Sequence, residues 1–134
     1  GEKVLEIGTG SGFQTCILCC LGARVYSVER QKQLHLTAQK IIDDLGYSPK
    51  LFYGDGYKGL NSFMPFDKIL VTCGAPNVPK LLKEQLKVGG VLVIPIGDGD
   101  SQTMKKITKV SENEYQEEDF GVFRFVPMLE RKAK

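Results

Sequence analysis

The sequence has few of the features that mark membrane, exported or nucleic-acid-binding proteins. Its 134 residues contain no apolar run of about 18 residues, which excludes a transmembrane helix. Its 18 Lys and Arg residues against 16 Asp and Glu residues leave a net charge of +2, too small to favour a nucleic acid as partner. The first residues, Gly1-Glu2-Lys3-Val4, lack a basic segment followed by an apolar one, so we expect no export signal there. We expect a cytoplasmic monomer without a membrane or nucleic-acid partner.

Metal-binding and disulfide patterns are also missing. Cys16, Cys19 and Cys20 lie within five residues of each other on one predicted helix, and His35 is the only histidine. This grouping cannot form a disulfide framework, and no second Cys or His pair stands at the spacing of zinc ligands. We therefore predict no metal site. We interpret these three thiols and Cys73 as buried structural side chains, and His35 as a surface or cap residue.

Short β-prone segments alternate with helical ones through the first hundred residues. The predicted strands are 3–7, 24–29, 50–53, 67–72 and 91–96. The predicted helices are 14–21, 31–45 and 78–86. This alternation predicts a parallel sheet with helices on both faces, and strands at 104–110 and 120–126 predict an antiparallel hairpin at its edge. The expected fold is α/β, a doubly wound, mostly parallel Rossmann-like sheet with a C-terminal antiparallel hairpin, in one domain spanning residues 1–134.

A glycine-rich loop joins the first predicted strand to the first predicted helix. The segment is Glu6-Ile7-Gly8-Thr9-Gly10-Ser11-Gly12. Glycines let the backbone approach a ligand closely, and the following helix directs free N–H groups at the loop. The spacing is GxGxG, with Phe13 where the third glycine of the dinucleotide pattern GxGxxG would stand. Glu6 is unfavourable beside a pyrophosphate but suits an α-ammonium group. The loop therefore favours S-adenosylmethionine as cofactor.

Two acidic residues follow the next two predicted strands. Glu29 ends the second strand, where a carboxylate can accept hydrogen bonds from both ribose hydroxyls. Asp55 follows the third strand and can accept a hydrogen bond from the adenine amine, while Gly56 lets the backbone pass the ring. All these features lie at carboxyl ends of strands, where open α/β sheets bind ligands. Together they predict a nucleoside site.

Segments along almost the whole chain resemble the protein-L-isoaspartate O-methyltransferases, a family of class I S-adenosylmethionine-dependent methyltransferases. The similar segments are 4–15, 28–30, 54–57, 65–72, 75–79, 86–90, 93–97 and 124–128. The glycine loop is shared by many methyltransferases. The segments Ala75-Pro76-Asn77-Val78-Pro79 and Arg124-Phe125-Val126-Pro127 are more specific.

The resemblance implies transfer of a methyl group from S-adenosylmethionine to the α-carboxylate of isoaspartyl residues in damaged proteins or peptides. It implies two sets of site residues. The cofactor-binding set is Glu6, Gly8, Thr9, Gly10, Ser11, Gly12, Glu29, Arg30, Asp55 and Gly56. The substrate-binding set is Thr72, Cys73, Ala75 and Pro76.

One departure from the family concerns catalysis. The family carries a serine-containing segment before the glycine loop, and these 134 residues begin at the loop's own strand. We therefore assign no catalytic residue. We expect a shortened family member whose 134 residues alone bind cofactor weakly and methylate poorly.

Three other functions remain open on the sequence alone. One is another class I methyltransferase, and a second is a non-catalytic S-adenosylmethionine-binding module. The third, an NAD-dependent oxidoreductase, is disfavoured by the glycine spacing.

Overall fold

A computed structural model describes residues 1–97, 99–124, 126–130 and 132. In this part of the chain seven strands form one sheet, in the order β3-β2-β1-β4-β5-β6-β7. The strands are β1 (Lys3–Ile7), β2 (Arg24–Glu29), β3 (Lys50–Tyr53), β4 (Phe66–Val71), β5 (Leu86–Ile96), β6 (Gln102–Ser111) and β7 (Glu114–Phe123). The helices are α1 (Phe13–Cys20), α2 (Lys32–Asp44) and α3 (Lys80–Glu84), with 3₁₀ turns at Gly56–Lys58 and Asn61–Phe63.

The sheet topology confirms the expected fold class. Strands β1 to β5 pair in parallel, whereas β5–β6 and β6–β7 pair antiparallel. The order reverses between β1 and β4, so the loops after these two strands open a crevice at the carboxyl edge of the sheet.

The boundaries of the later elements differ from those predicted. Strand β5 begins at Leu86 rather than at residue 91, because Gly89 and Gly90 are accommodated within the strand: Gly89 has a φ of +88° and the β4–β5 register shifts there. Helix α3 is correspondingly shorter than predicted. Strand β7 is Glu114–Phe123 rather than 120–126, because its register starts from the Ser111–Glu114 pair. Residue 125 of the predicted strand lies outside the described residues.

The main hydrophobic core lies on one face of the central strands. Leu5 and Ile7 of β1 point into it, and Leu82 of α3 packs from the helix side. Because side chains alternate along a strand, Glu6 between them points to the opposite face. On that face it contacts α1 residues, and Ala38 and Ile42 of α2 are also buried. Glu6 thus lies beneath the glycine loop on the side of α1.

Two interpretations of single residue types need correction. The thiols are not uniformly buried: Cys20 is exposed, and Cys16, Cys19 and Cys73 are partly buried. His35 is half-buried rather than on the surface, and its ring stacks on Tyr53 with a centroid distance of 6.3 Å. The described helices include none that is long and apolar enough to cross a membrane.

Candidate functional site

The glycine loop, residues 8–12, is held in place by backbone hydrogen bonds. The Gly8 N–H donates to the Val28 carbonyl of β2 at 2.8 Å, and the Gly12 N–H donates to the Thr9 carbonyl at 2.9 Å. The Thr72 hydroxyl at the end of β4 lies 3.0 Å from the Ile7 carbonyl oxygen and 3.1 Å from that of Gly8. Gly8 has a φ of +98°, and a Cβ there would lie 2.5 Å from the Thr72 Oγ1. Only glycine fits this position without strain.

Glu29 lies at the centre of the site. Its side chain is 5% exposed, at the end of β2. One carboxylate oxygen accepts the Gly10 N–H and the other accepts the Gln31 N–H, each at 2.9 Å. Each oxygen retains a second lone pair, so the group can still accept two ligand hydroxyls. This geometry agrees with a ribose-binding carboxylate.

Asp55 and Gly56 lie beside Glu29. The Gly54 N–H donates to the Glu29 carbonyl at 3.0 Å, which fixes the β3 loop against the end of β2. The Asp55 Oδ1 accepts the Tyr57 N–H at 2.9 Å and so caps the 3₁₀ turn that follows. Gly56 is buried, and a Cβ there would overlap the Ile7 side chain and lie 3.2 Å from the Met128 Cε. The two predicted acids therefore lie at the same edge of the sheet.

A cavity of about 450 Å³ opens at this edge. Seven predicted site residues line it: Gly8, Gly10, Glu29, Arg30, Gly56, Thr72 and Cys73. The other seven predicted site residues do not line it: Glu6, Thr9, Ser11, Gly12, Asp55, Ala75 and Pro76. Its size is typical of a site for a cofactor or other small molecule.

The C-terminal segment, residues 126–129, forms a wall that the sequence reasoning did not anticipate. All four of its residues line the cavity. The Gly74 N–H donates to the Val126 carbonyl at 2.7 Å, and the Met128 N–H donates to the Gly74 carbonyl at 2.6 Å. The Tyr57 hydroxyl donates to the Met128 carbonyl at 3.3 Å, and Met128 is 7% exposed. The sequence Val126-Pro127 contributed to the family resemblance, but it did not indicate that these residues would line the cavity.

Other cavity residues were also missed. They are Ile7, Val28, Gln31 and Leu34. Leu34 belongs to α2. Its 43% exposure and its place in the cavity wall make it a candidate apolar contact for a ligand.

The Cys73 thiol is an ionisable group in the cavity wall. Burial, and secondarily the negative charge of Glu29, raise its pKa to about 11. The thiol is therefore protonated near neutral pH and is a poor nucleophile.

The two remaining predicted substrate residues, Ala75 and Pro76, do not line the cavity. Ala75 is fully buried, and its N–H donates to the Pro95 carbonyl at 2.9 Å, which ties the loop after β4 to β5. Pro76 is exposed beside it.

Comparison with solved structures defines the class of fold. A structure titled protein-L-isoaspartate O-methyltransferase matches with a TM-score of 0.88 and 31% identity, covering 95% of this chain and 42% of that one. A Plasmodium falciparum protein described as a beta-aspartate methyltransferase (PCMT), solved with S-adenosyl-L-homocysteine, matches with a TM-score of 0.78. At 22% identity, over 96% of this chain and 66% of that one, the second match supports the fold alone. The fold is that of a class I methyltransferase.

Sequence comparison defines the family. The family model described as Protein-L-isoaspartate(D-aspartate) O-methyltransferase (PCMT) matches residues 1–133. Proteins named protein-L-isoaspartate O-methyltransferase from Christiangramia forsetii and Flavobacterium psychrophilum are 57% and 54% identical, each over 98% of this chain. The chain spans 62% of the length of these two relatives. It belongs to the protein-L-isoaspartate(D-aspartate) O-methyltransferase family.

Proposed function

We propose that this chain is the S-adenosylmethionine-binding part of an enzyme that methylates the α-carboxylate of isoaspartyl residues in damaged proteins or peptides. The observation that carries the proposal is the Glu29 carboxylate. It is almost fully buried in the cavity wall, yet each oxygen keeps a lone pair for a ligand hydroxyl. Membership of the family supplies the reaction class. Residues 1–134 would act as one cofactor-binding domain.

The described residues fit S-adenosylmethionine in three parts. The backbone at Gly8 and Gly10 would bind the methionine end, where a side chain at Gly8 would occupy the space of Thr72. Glu29 would accept the two ribose hydroxyls. Gly56 would let the adenine pass and Asp55, at the neighbouring loop, would accept its amine.

The other proposed cofactor residues surround these contacts. Thr9, Ser11 and Gly12 would hold the shape of the glycine loop, and Arg30 would line the ribose end of the cavity. Glu6 would act at the methionine end from beneath the loop.

The proposed methyl transfer requires little proton transfer by the protein. When bound, S-adenosylmethionine supplies an electrophilic methyl group on a sulfonium. A peptide carboxylate is already ionised at neutral pH, so its methylation needs no general base. The contribution of this chain would be to hold the reacting atoms in line and to keep water out. This agrees with a site in which we assign no catalytic residue.

Residues after β4 would contact the substrate. Thr72 and Cys73 line the cavity, while Ala75 and Pro76 form the loop beside it. The raised pKa of Cys73, about 11, is useful here. A thiolate beside the methyl donor would compete with the substrate carboxylate, and a protonated thiol does not.

The remaining properties follow from charge and cysteine chemistry. The net charge of +2 gives no electrostatic reason to propose a nucleic acid or a membrane surface as partner. The four free cysteines support a reducing, cytoplasmic environment. We further propose that the chain acts as a monomer.

A methyl-transfer assay tests the proposal. The chain is incubated with labelled S-adenosylmethionine and an isoaspartyl peptide, and the methyl ester is released as volatile methanol by base. A peptide of the same sequence with normal aspartate is the matched control. We expect slow esterification of the isoaspartyl peptide and no esterification of the control peptide. Equal labelling of both peptides would contradict the substrate assignment, and cofactor binding without any labelling would favour a non-catalytic module.

A further inference from the structure

Glu6 is a fully buried carboxylate that does not line the cavity. It accepts hydrogen bonds from the hydroxyls of Thr15 in α1 and Ser27 in β2, the latter at 2.6 Å. The Gln14 side-chain amide donates to its second oxygen at 2.9 Å. Thr15 and Ser27 are themselves fully buried. The carboxylate therefore joins α1 to β2 beneath the glycine loop.

The hydrogen-bond directions extend this network to the loop itself. Thr9 Oγ1 lies 2.6 Å from Ser27 Oγ. A serine hydroxyl has one proton, and that of Ser27 is donated to Glu6. Thr9 must therefore donate to Ser27, which gives the sequence Thr9 to Ser27 to Glu6. Glu6 is the terminal acceptor of this network.

The network ends on the buried carboxyl group of Glu6. None of the ion pairs found among the described residues includes Glu6. Burial raises the pKa of Glu6, while the hydrogen bonds from Ser27, Thr15 and Gln14 oppose that rise. Burying a carboxylate that is hydrogen-bonded but forms no ion pair costs folding free energy. The position of Glu6 beneath the glycine loop therefore indicates a role in the shape of that loop, in addition to any role in stability.

Thr9 connects this network to the cavity. It stands between Gly8 and Gly10, which both line the cavity, and its carbonyl accepts the Gly12 N–H at 2.9 Å. A change in the position of Thr9 would therefore move the backbone on both sides of it.

We propose that Glu6 is a positioning residue, which holds Thr9 through Ser27 and so keeps the glycine loop in its cofactor-binding shape without touching the ligand. This inference rests on the proposed cofactor site and assigns to Glu6 a role other than contact with the α-ammonium group. What the network requires of Glu6 is an acceptor, not a charge.

Two substitutions at this position separate an acceptor from a charge. In Glu6→Gln, the amide oxygen can still accept from Ser27 and Thr15, and the Gln14 amide can turn to accept from the new nitrogen. In Glu6→Met, a side chain of similar length leaves both hydroxyls without an acceptor. Calorimetric titration with S-adenosylhomocysteine measures each dissociation constant. We expect Glu6→Gln to remain within about threefold of the parent and Glu6→Met to bind about tenfold or more weakly.

Two outcomes of this titration would overturn the inference. Equal weakening by Gln and Met would mean that the charge itself binds the ligand, and would overturn the inference. No weakening by either would overturn it as well. Ile107→Val, a buried change on β6 away from the loop, controls for loss of stability alone.

Coupling to Thr9 provides a readout that general stabilisation would not move. Thr9→Val should weaken binding in the parent, but should add little in Glu6→Met, because the network is already broken there. Ser27→Ala, which removes only the middle of the network, should behave like Thr9→Val. Independent, additive losses would contradict the proposed connection.

Hydrogen exchange without ligand separates this inference from the proposed function. The Gly8 and Gly12 amides should exchange faster in Glu6→Met and Ser27→Ala than in the parent and in Glu6→Gln. This result does not depend on which cofactor binds. Unchanged exchange in all variants would overturn the positioning role even if S-adenosylhomocysteine binds, whereas a failure of the parent to bind it would overturn the proposed function.

Discussion

Replacing Glu29 with glutamine should weaken cofactor binding strongly. The carboxylate accepts one backbone N–H on each oxygen, from Gly10 and Gln31, both at 2.9 Å. Glutamine keeps one acceptor and directs an NH₂ group at the other N–H. Because the side chain is only 5% exposed, water cannot readily replace the lost acceptor. The same substitution removes one of the two oxygens available to the ribose hydroxyls.

The expected size follows from hydrogen bonds to a charged group, which contribute about 1.5–3 kcal/mol each. At about 1.4 kcal/mol per factor of ten, loss of one ribose contact raises the dissociation constant roughly 10- to 150-fold. Calorimetric titration with S-adenosylhomocysteine measures this. Glu118→Gln, the same chemical change at an exposed position on β7, is the matched control and should have no effect.

A ligand variant tests whether the loss comes from the ribose. An analogue of S-adenosylhomocysteine without the 2′- and 3′-hydroxyls should bind the parent more weakly, but should lose less than the natural ligand when Glu29 is replaced. Binding of S-adenosylhomocysteine by Glu29→Gln within about threefold of the parent would refute the reasoning. Equal losses for both ligands would refute the ribose assignment.

Three further predictions concern the loop, the thiols and the C-terminal segment. The reference change is Gly22→Ala, in the turn between α1 and β2, where an added Cβ meets nothing within 4 Å. It should lower the free energy of unfolding by about 1–2 kcal/mol, because Gly22 has a φ of +86°. Gly8→Ala should cost about 1–3 kcal/mol more because its Cβ would also crowd a threonine hydroxyl, and equal losses in urea denaturation would contradict this. Iodoacetamide at pH 8 should label exposed Cys20 before Cys73, because the Cys73 thiol, with a pKa of about 11, stays protonated until the pH approaches that value. Labelling is followed by mass spectrometry, and labelling of Cys73 first would contradict the prediction. Met128→Ala should cost about 2–5 kcal/mol, since its side chain is 7% exposed, and an unchanged urea midpoint would show that the segment is not packed on the sheet.

Local sequence patterns predicted the first half of the fold well. Strands β1 and β2 have the predicted ends because each is a short apolar segment bounded by glycine or polar residues. Glu29 and the glycine loop could be placed at one edge because all parallel strands of such a sheet end there. The orientation of the Glu6 side chain could also have been predicted from the sequence. Side chains alternate along a strand, and the apolar neighbours Leu5 and Ile7 face the main core.

Contacts between distant parts of the chain could not be predicted in this way. The C-terminal wall depends on pairing of Gly74 with Val126 and Met128, more than fifty residues away, and no local pattern indicates such a pair. The start of β5 depends in the same way on its pairing with β4, which extends the strand through Gly89. Propensity predicts a break at that glycine, and the sheet partner overrides it.

A crystal structure of the chain with S-adenosylhomocysteine tests the central claim most directly. The account predicts both ribose hydroxyls within hydrogen-bond distance of the Glu29 carboxylate, with the adenine beside Gly56 and the amino-acid end at Gly8 and Gly10. A ligand bound elsewhere, or a ribose turned away from Glu29, would contradict the account.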